Sequence, residues 1–113
     1  MIHLVHALPN AWLPQPGQYL RTYGLSVEQA RKYVSGRLFT SHIRYEDLAA
    51  KVSEDLGVTV EASGSNCPSP YQGKIILLCV RSPGQTDVQY VRVYDGANEA
   101  ADHDWRYDMT KYA

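Results

Sequence analysis

The stretch Lys74-Ile75-Ile76-Leu77-Leu78-Cys79-Val80 decides the fold class, because its six apolar residues follow one another without a polar break. A strand with one solvated face alternates apolar and polar residues, whereas a strand covered on both faces is apolar throughout. Residues 74–80 are therefore predicted to be a central strand with layers on both sides. Ser82, Pro83 and Gly84 turn the chain after it. Residues 88–94, rich in valine and tyrosine, form a last strand that Asp95 and Gly96 end.

Upstream of that strand the polar segment 62–73, with Pro68, Pro70, Gly64 and Gly73, reads as a loop. Residues 58–61 have strand character. A helix is predicted over 45–56: Tyr45, Ala49, Val52 and Leu56 share a face, Glu46 and Asp47 suit its positive end, and Gly57 stops it. An earlier helix starts at Ser26, whose spacing to Gln29 fits a capping box. Val27, Ala30, Val34 and Leu38 fall on one face of it, and Gly36 weakens its end. Residues 19–23 are a candidate strand ending at Gly24. Residues 2–8 are a first strand interrupted by His3 and His6, followed by a proline-rich loop whose Trp12 and Leu13 pack back onto the sheet.

This order predicts an α/β (α+β) fold: a single domain over 1–96, with a mixed sheet of about four to five strands packed with two main helices. Residues 97–113 read as a polar tail with the aromatic anchors Trp105, Tyr107 and Tyr112. A chain of 113 residues is one ordinary domain. Its 44% hydrophobic and 20% charged residues are those of a globular protein.

Charge and cysteine usage narrow the function classes. Eleven basic against twelve acidic residues leave a net charge of −1, which argues against general duplex nucleic-acid binding. Nine tyrosines and two tryptophans against one phenylalanine suit strand surfaces, interfaces and stacking platforms. No run approaches the roughly 20 apolar residues of a membrane span, and residues 1–5 are too short for a secretory signal. A cytoplasmic chain with Cys67 and Cys79 reduced is expected.

Four histidines, His3, His6, His42 and His103, show no metal-ligand spacing, and no C-x-x-C occurs; neither a metal nor another cofactor is expected. The polar run Ser63-Gly64-Ser65-Asn66 lacks the lysine and following helix of a phosphate loop. His42 lies just before the second helix beside Ser41 and Arg44, where helix amides can receive a phosphate. A histidine, an arginine and a helix start are the parts of a metal-independent phosphodiesterase. The simpler alternative is that Ser41 caps the helix and His42 points to water.

The stretch 41–49, Ser-His-Ile-Arg-Tyr-Glu-Asp-Leu-Ala, then Leu56-Gly57-Val58-Thr59-Val60, then Gly73-Lys74-Ile75-Ile76-Leu77-Leu78, resembles the small viral ring nucleases. These anti-CRISPR proteins of archaeal viruses and phages destroy cyclic tetra-adenylate, the messenger of type III CRISPR systems. Leu4-Val5-His6-Ala7-Leu8 with Trp12-Leu13 is similar to the family's opening strand and turn. The departures fall on functional positions. The family's Gly-His becomes Arg44-Tyr45, its Asn-Arg pair becomes Ser63-Gly64, its Arg-x-x-Glu segment becomes the turn 82–87, and His6 stands where it has asparagine. A tyrosine phenol, with a pKa of about 10, is a poor proton donor or acceptor at neutral pH.

The resemblance therefore implies a homodimer of the family scaffold without the ring-cutting histidine. It would be a viral or mobile-element accessory protein that acts in the host cytoplasm, sequestering a cyclic nucleotide or blocking a host defence protein. The expected binding residues are Ser41, His42, Arg44, Tyr45 and His6. If catalysis persists, His42 or His6 is the expected acid in a divergent cyclic-oligoadenylate phosphodiesterase. An interaction module that binds no nucleotide is the third alternative.

Overall fold

A computed structural model describes residues 1–67, 69–72 and 74–97. The elements are β1 (Ile2–Val5), β2 (Leu20–Leu25), α1 (Val27–Val34), β3 (Phe39–Ser41), α2 (Glu46–Leu56), β4 (Ile75–Val80) and β5 (Gln89–Asp95). The five strands form one mixed sheet in the order β2-β5-β4-β1-β3. β1 runs parallel to both β3 and β4, while β5 is antiparallel to β4 and β2. This is the α+β class that the apolar run predicts. The expected tail, 97–113, lies outside the described residues except for Ala97.

Burial follows the pleat. Leu77 and Cys79 of β4, Ile2 and Leu4 of β1 and Tyr90 of β5 face a core shared with both helices. Ile76, Leu78, Val5 and Val93 point the opposite way and meet Trp12. β4 is thus covered on both faces, by helices on one and by the 9–13 loop on the other. Trp12 packs into that second layer as expected, whereas Leu13 is exposed. Among the described residues no helix is long and apolar enough to cross a membrane.

Helix α1 starts on the capping box foreseen: the Gln29 amide donates to Ser26 Oγ at 3.1 Å and the Ser26 amide to Gln29 Oε1 at 2.9 Å. Its end differs from the sequence expectation. The helix stops at Val34, because Gly36 adopts φ 73° and reverses the chain, and Leu38 is left 77% exposed. Val27, at the first helical position, is also exposed. The inward face is Ala30, Tyr33 and Val34. Tyr33 is fully buried, its hydroxyl accepting from Arg92 Nε of β5 at 3.1 Å. Arg92 in turn lies 5.4 Å from the Tyr94 ring centroid.

The strand expectations change at four points. β1 ends at Val5 instead of residue 8, β2 runs through Gly24 to Leu25, and Phe39–Ser41 is a strand that the sequence did not announce. Residues 58–61 are not a strand. The side chain of Ser53 on α2 takes up the backbone of Val60: Ser53 Oγ accepts from the Val60 amide at 2.8 Å and donates toward Val60 O at 3.1 Å and Ala49 O at 2.8 Å. The segment is therefore held against its own helix, with Val58 and Val60 packed into the helical core layer. A Ser53→Ala variant leaves the amide of buried Val60 without that partner. It should lose about 1–2 kcal/mol in urea denaturation, and a loss within measurement error would mean that the segment is held otherwise.

Candidate functional site

Parallel strands align their carboxyl ends, so β1, β3 and β4 deliver the residues that follow them to one edge of the sheet. Crevices outside such carboxyl ends are the usual ligand positions of open α/β sheets. At this edge His6 follows β1, His42 follows β3 and Arg81 follows β4. The His42 amide donates to Leu4 O at 2.8 Å, which extends the β1–β3 ladder by one step.

His42 is not a solvated side chain. It is buried on the sheet face opposite the helices, with Nε2 2.9 Å from His3 Nδ1. Register explains the meeting: His3 pairs with Thr40, and His42 lies two residues on, on the same face of the strand. On its other side His42 Nδ1 is 3.0 Å from Ser65 Oγ and 3.3 Å from Ser65 O. A carbonyl can only accept, so a proton on Nδ1 satisfies this contact and leaves Nε2 with the lone pair. The loop is pinned there because the Ser63 amide donates to Ile43 O at 2.7 Å and Ser63 Oγ is 3.0 Å from Ser65 Oγ. Ser63 and Ser65, read from the sequence as a plain polar run, are thus the support of His42.

The other expected residues divide. His6, His42 and Arg44 line one cleft of about 270 Å³ together with Ser65, Asn66 and Cys67. Tyr45 lines an adjoining depression of about 300 Å³ with His6, Asp47 and Arg81. His6 belongs to both linings, its ring edge-on to Tyr45 with centroids 5.2 Å apart. Its Nδ1 is buried and has no hydrogen-bond partner among the described residues. Ser41 lines neither space and does not cap α2; its hydroxyl accepts from the Ile43 amide at 3.3 Å. The N-cap is Tyr45, which makes no side-chain capping bond.

The amino end of α2 is not an open anion site either. The Asp47 carboxylate accepts from its own amide and that of Leu48 and pairs with Arg81, and these contacts hold its pKa below the ordinary carboxylate range, the Arg81 hydrogen bond contributing most. Positive charge for an incoming anion therefore comes from Arg44, which is exposed and makes no ion pair among the described residues.

One grouping was invisible in the sequence. His3, His42 and Cys67 bring two ring nitrogens and a sulfur within 4.8 Å of one another, although His3 and His42 are 39 positions apart. The absence of a metal-type spacing along the chain is thus replaced by a cluster of soft donors in space. Burial raises the Cys67 thiol to about 11, so the metal-free side chain is a thiol at neutral pH. Burial also lowers His3, with His42, Lys74 and the amino terminus adding repulsion.

A base depressed in the fold contributes stability that is present above its unfolded value and lost as pH falls through the folded one. In chelator, unfolding midpoints should thus begin to fall as pH drops below 6.5, the ordinary histidine value. A His3→Asn variant should show a shallower fall, and identical pH profiles would show that His3 is not the group responsible. No protein-family model matches the chain, and no curated protein does.

Proposed function

We propose that this chain is a binding protein for a small phosphate-bearing ligand of the cyclic oligonucleotide class, taken up in the cleft at the carboxyl edge of β1 and β3. The observation that carries this reading is His6 Nδ1, a buried polar atom with no partner among the described residues, on the wall shared by two adjoining depressions. Buried polar groups in folded proteins nearly always have a partner, and at a cleft wall a water or an entering ligand can supply it. Arg44 supplies a guanidinium suited to phosphate oxygens and Asn66 an amide. Tyr45, 58% exposed, offers a face on which a base can stack.

The ligand class comes from the resemblance of residues 41–80 to the viral ring nucleases, as does the biological setting: a viral or mobile-element protein that withdraws a defence signal in a host cell. Tyr45 in place of the family's histidine favours sequestration over cutting. The reading includes a homodimer sharing the pocket, and sedimentation as a monomer at every concentration would remove that element.

Calorimetry of the purified chain against cyclic di-, tri-, tetra- and hexa-adenylates, with chromatography of each mixture, tests the proposal. Saturable binding with the ligand recovered intact is expected. Cleavage that is lost in His42→Ala would replace sequestration with phosphodiester hydrolysis. Failure of every ligand to bind would overturn the nucleotide reading and turn the question to a protein target.

A further inference from the structure

We propose that His3 Nδ1, His42 Nε2 and Cys67 Sγ form a binding site for a single divalent transition-metal ion of the zinc type, with its fourth coordination position open to the cleft. This goes beyond the ligand reading and does not depend on it, because the chain and the metal alone suffice to test it. Two imidazoles and a thiolate are a donor set that zinc and its neighbours in the first transition row favour over magnesium or calcium. One ring nitrogen of each histidine and the Cys67 sulfur already lie within 4.8 Å of one another, and His3 Nδ1 is 2.9 Å from His42 Nε2. Tetrahedral ligands at ordinary zinc–nitrogen and zinc–sulfur distances are about 3.3–3.6 Å apart, so closure needs shifts of about 1 Å. Cys67 lies outside the strands, in the segment between α2 and β4, and packs against the second core layer.

A second observation is the support behind His42. Metal-bound histidines donate their remote ring N–H to an oxygen, which fixes the tautomer and the ring plane. His42 Nδ1 meets both oxygens of Ser65, and Ser65 is braced by Ser63, whose amide is tied to Ile43 O. With the proton on Nδ1, Nε2 keeps its lone pair on the side of His3 Nδ1, 2.9 Å away. A proton shared by two histidines would account for the 2.9 Å contact alone. It gives no reason for the converging sulfur or for the braced Nδ1.

On binding, the Cys67 thiol proton leaves to solvent as the sulfur–metal bond forms, and the His3 proton moves to Nε2. The resulting thiolate offsets one of the ion's charges, which matters beside Lys74 and the amino terminus. A solvent water completes the fourth position. Cys67 and His42 line the cleft, so a ligand oxygen entering there can replace that water. No redox step is involved.

The test uses the full chain, stripped with chelator and titrated with Co²⁺, then with Zn²⁺ as competitor. Expected are one equivalent of bound cobalt, tetrahedral d–d bands and a thiolate-to-cobalt charge-transfer band, all displaced by zinc. Cys67→Ser should abolish the charge-transfer band while Cys79→Ala retains it. His3→Ala should weaken binding at least tenfold, and Ser65→Ala by about tenfold through the lost support. A second readout does not need the serine variant to fold: zinc should slow alkylation of wild-type Cys67 at least tenfold, followed by peptide mass. No charge-transfer band in the wild type, a band that survives Cys67→Ser, or an unchanged alkylation rate would each overturn the proposal. Metal binding without nucleotide binding would leave this site standing and remove the ligand reading; the reverse result would do the opposite.

Discussion

Replacing Tyr33 by alanine should lower the stability of the fold by about 3–5 kcal/mol, the range for removing a fully buried aromatic side chain. Tyr33 has no exposed surface and lies between α1 and the sheet, in the same core layer as Leu4, Leu77 and Tyr90. Its removal empties that volume, and it also deprives the buried Arg92 of the hydroxyl that its Nε meets at 3.1 Å. Tyr33→Phe separates the two effects by keeping the ring and deleting the oxygen, and should cost about 1–2 kcal/mol. For a domain of this size each kcal/mol corresponds to roughly 4–8 °C in Tm. The alanine variant should therefore melt more than about 10 °C below the wild type. Urea unfolding with an unchanged slope is the check. A loss below about 1 kcal/mol would mean that the layers are not joined through this ring.

Arg44→Ala should reduce affinity for the cyclic oligonucleotide that calorimetry selects by about 10- to 100-fold. Charge-assisted hydrogen bonds contribute about 1.5–3 kcal/mol, and each 1.4 kcal/mol is a factor of about ten in Kd. Arg44 is the exposed cation of the cleft, and the amino end of α2 already holds the Asp47 carboxylate. The remaining affinity should lose most of its salt dependence. Arg44→Lys should recover part of it, keeping the charge without the planar fork. The side chain is exposed, so the variant should melt like the wild type. Equal affinities for wild type and variant would remove Arg44 from the site and the phosphate from the ligand's recognised features.

The mixed sheet and two helices were legible because they rest on local rules. The unbroken apolar run of 75–80 can be hidden only by layers on both faces, and both were found, helices on one and Trp12 on the other. Ser26, Gln29 and Gly57 marked helix ends through backbone groups within a few residues, and all three act as read. Where local rules competed with a distant partner they misled. Val58 and Val60 have strand propensity, but Ser53 takes the Val60 backbone first. Leu38 continued the helical period, but Gly36 had already turned the chain. β3 is three residues long and carries no pattern of its own; it exists because β1 offers an edge.

The candidate site divides along the same line. His42, Arg44 and Tyr45 were singled out because they flank a predicted helix start and His6 through the family resemblance, and three of the four do line one cleft, with Tyr45 beside it. Their partners were not legible. His3 reaches His42 only because β1 and β3 pair in parallel with His3 beside Thr40, and Cys67 and Ser65 reach it only because the loop hangs from Ile43 O. The sequence by itself determined which segments are apolar, where helices begin, and that one mixed sheet must be covered on both sides, since these follow from solvent and from neighbours along the chain. Only the tertiary structure decided which histidine faces which, because strand order and register bring together residues between which the chain carries no periodic signal.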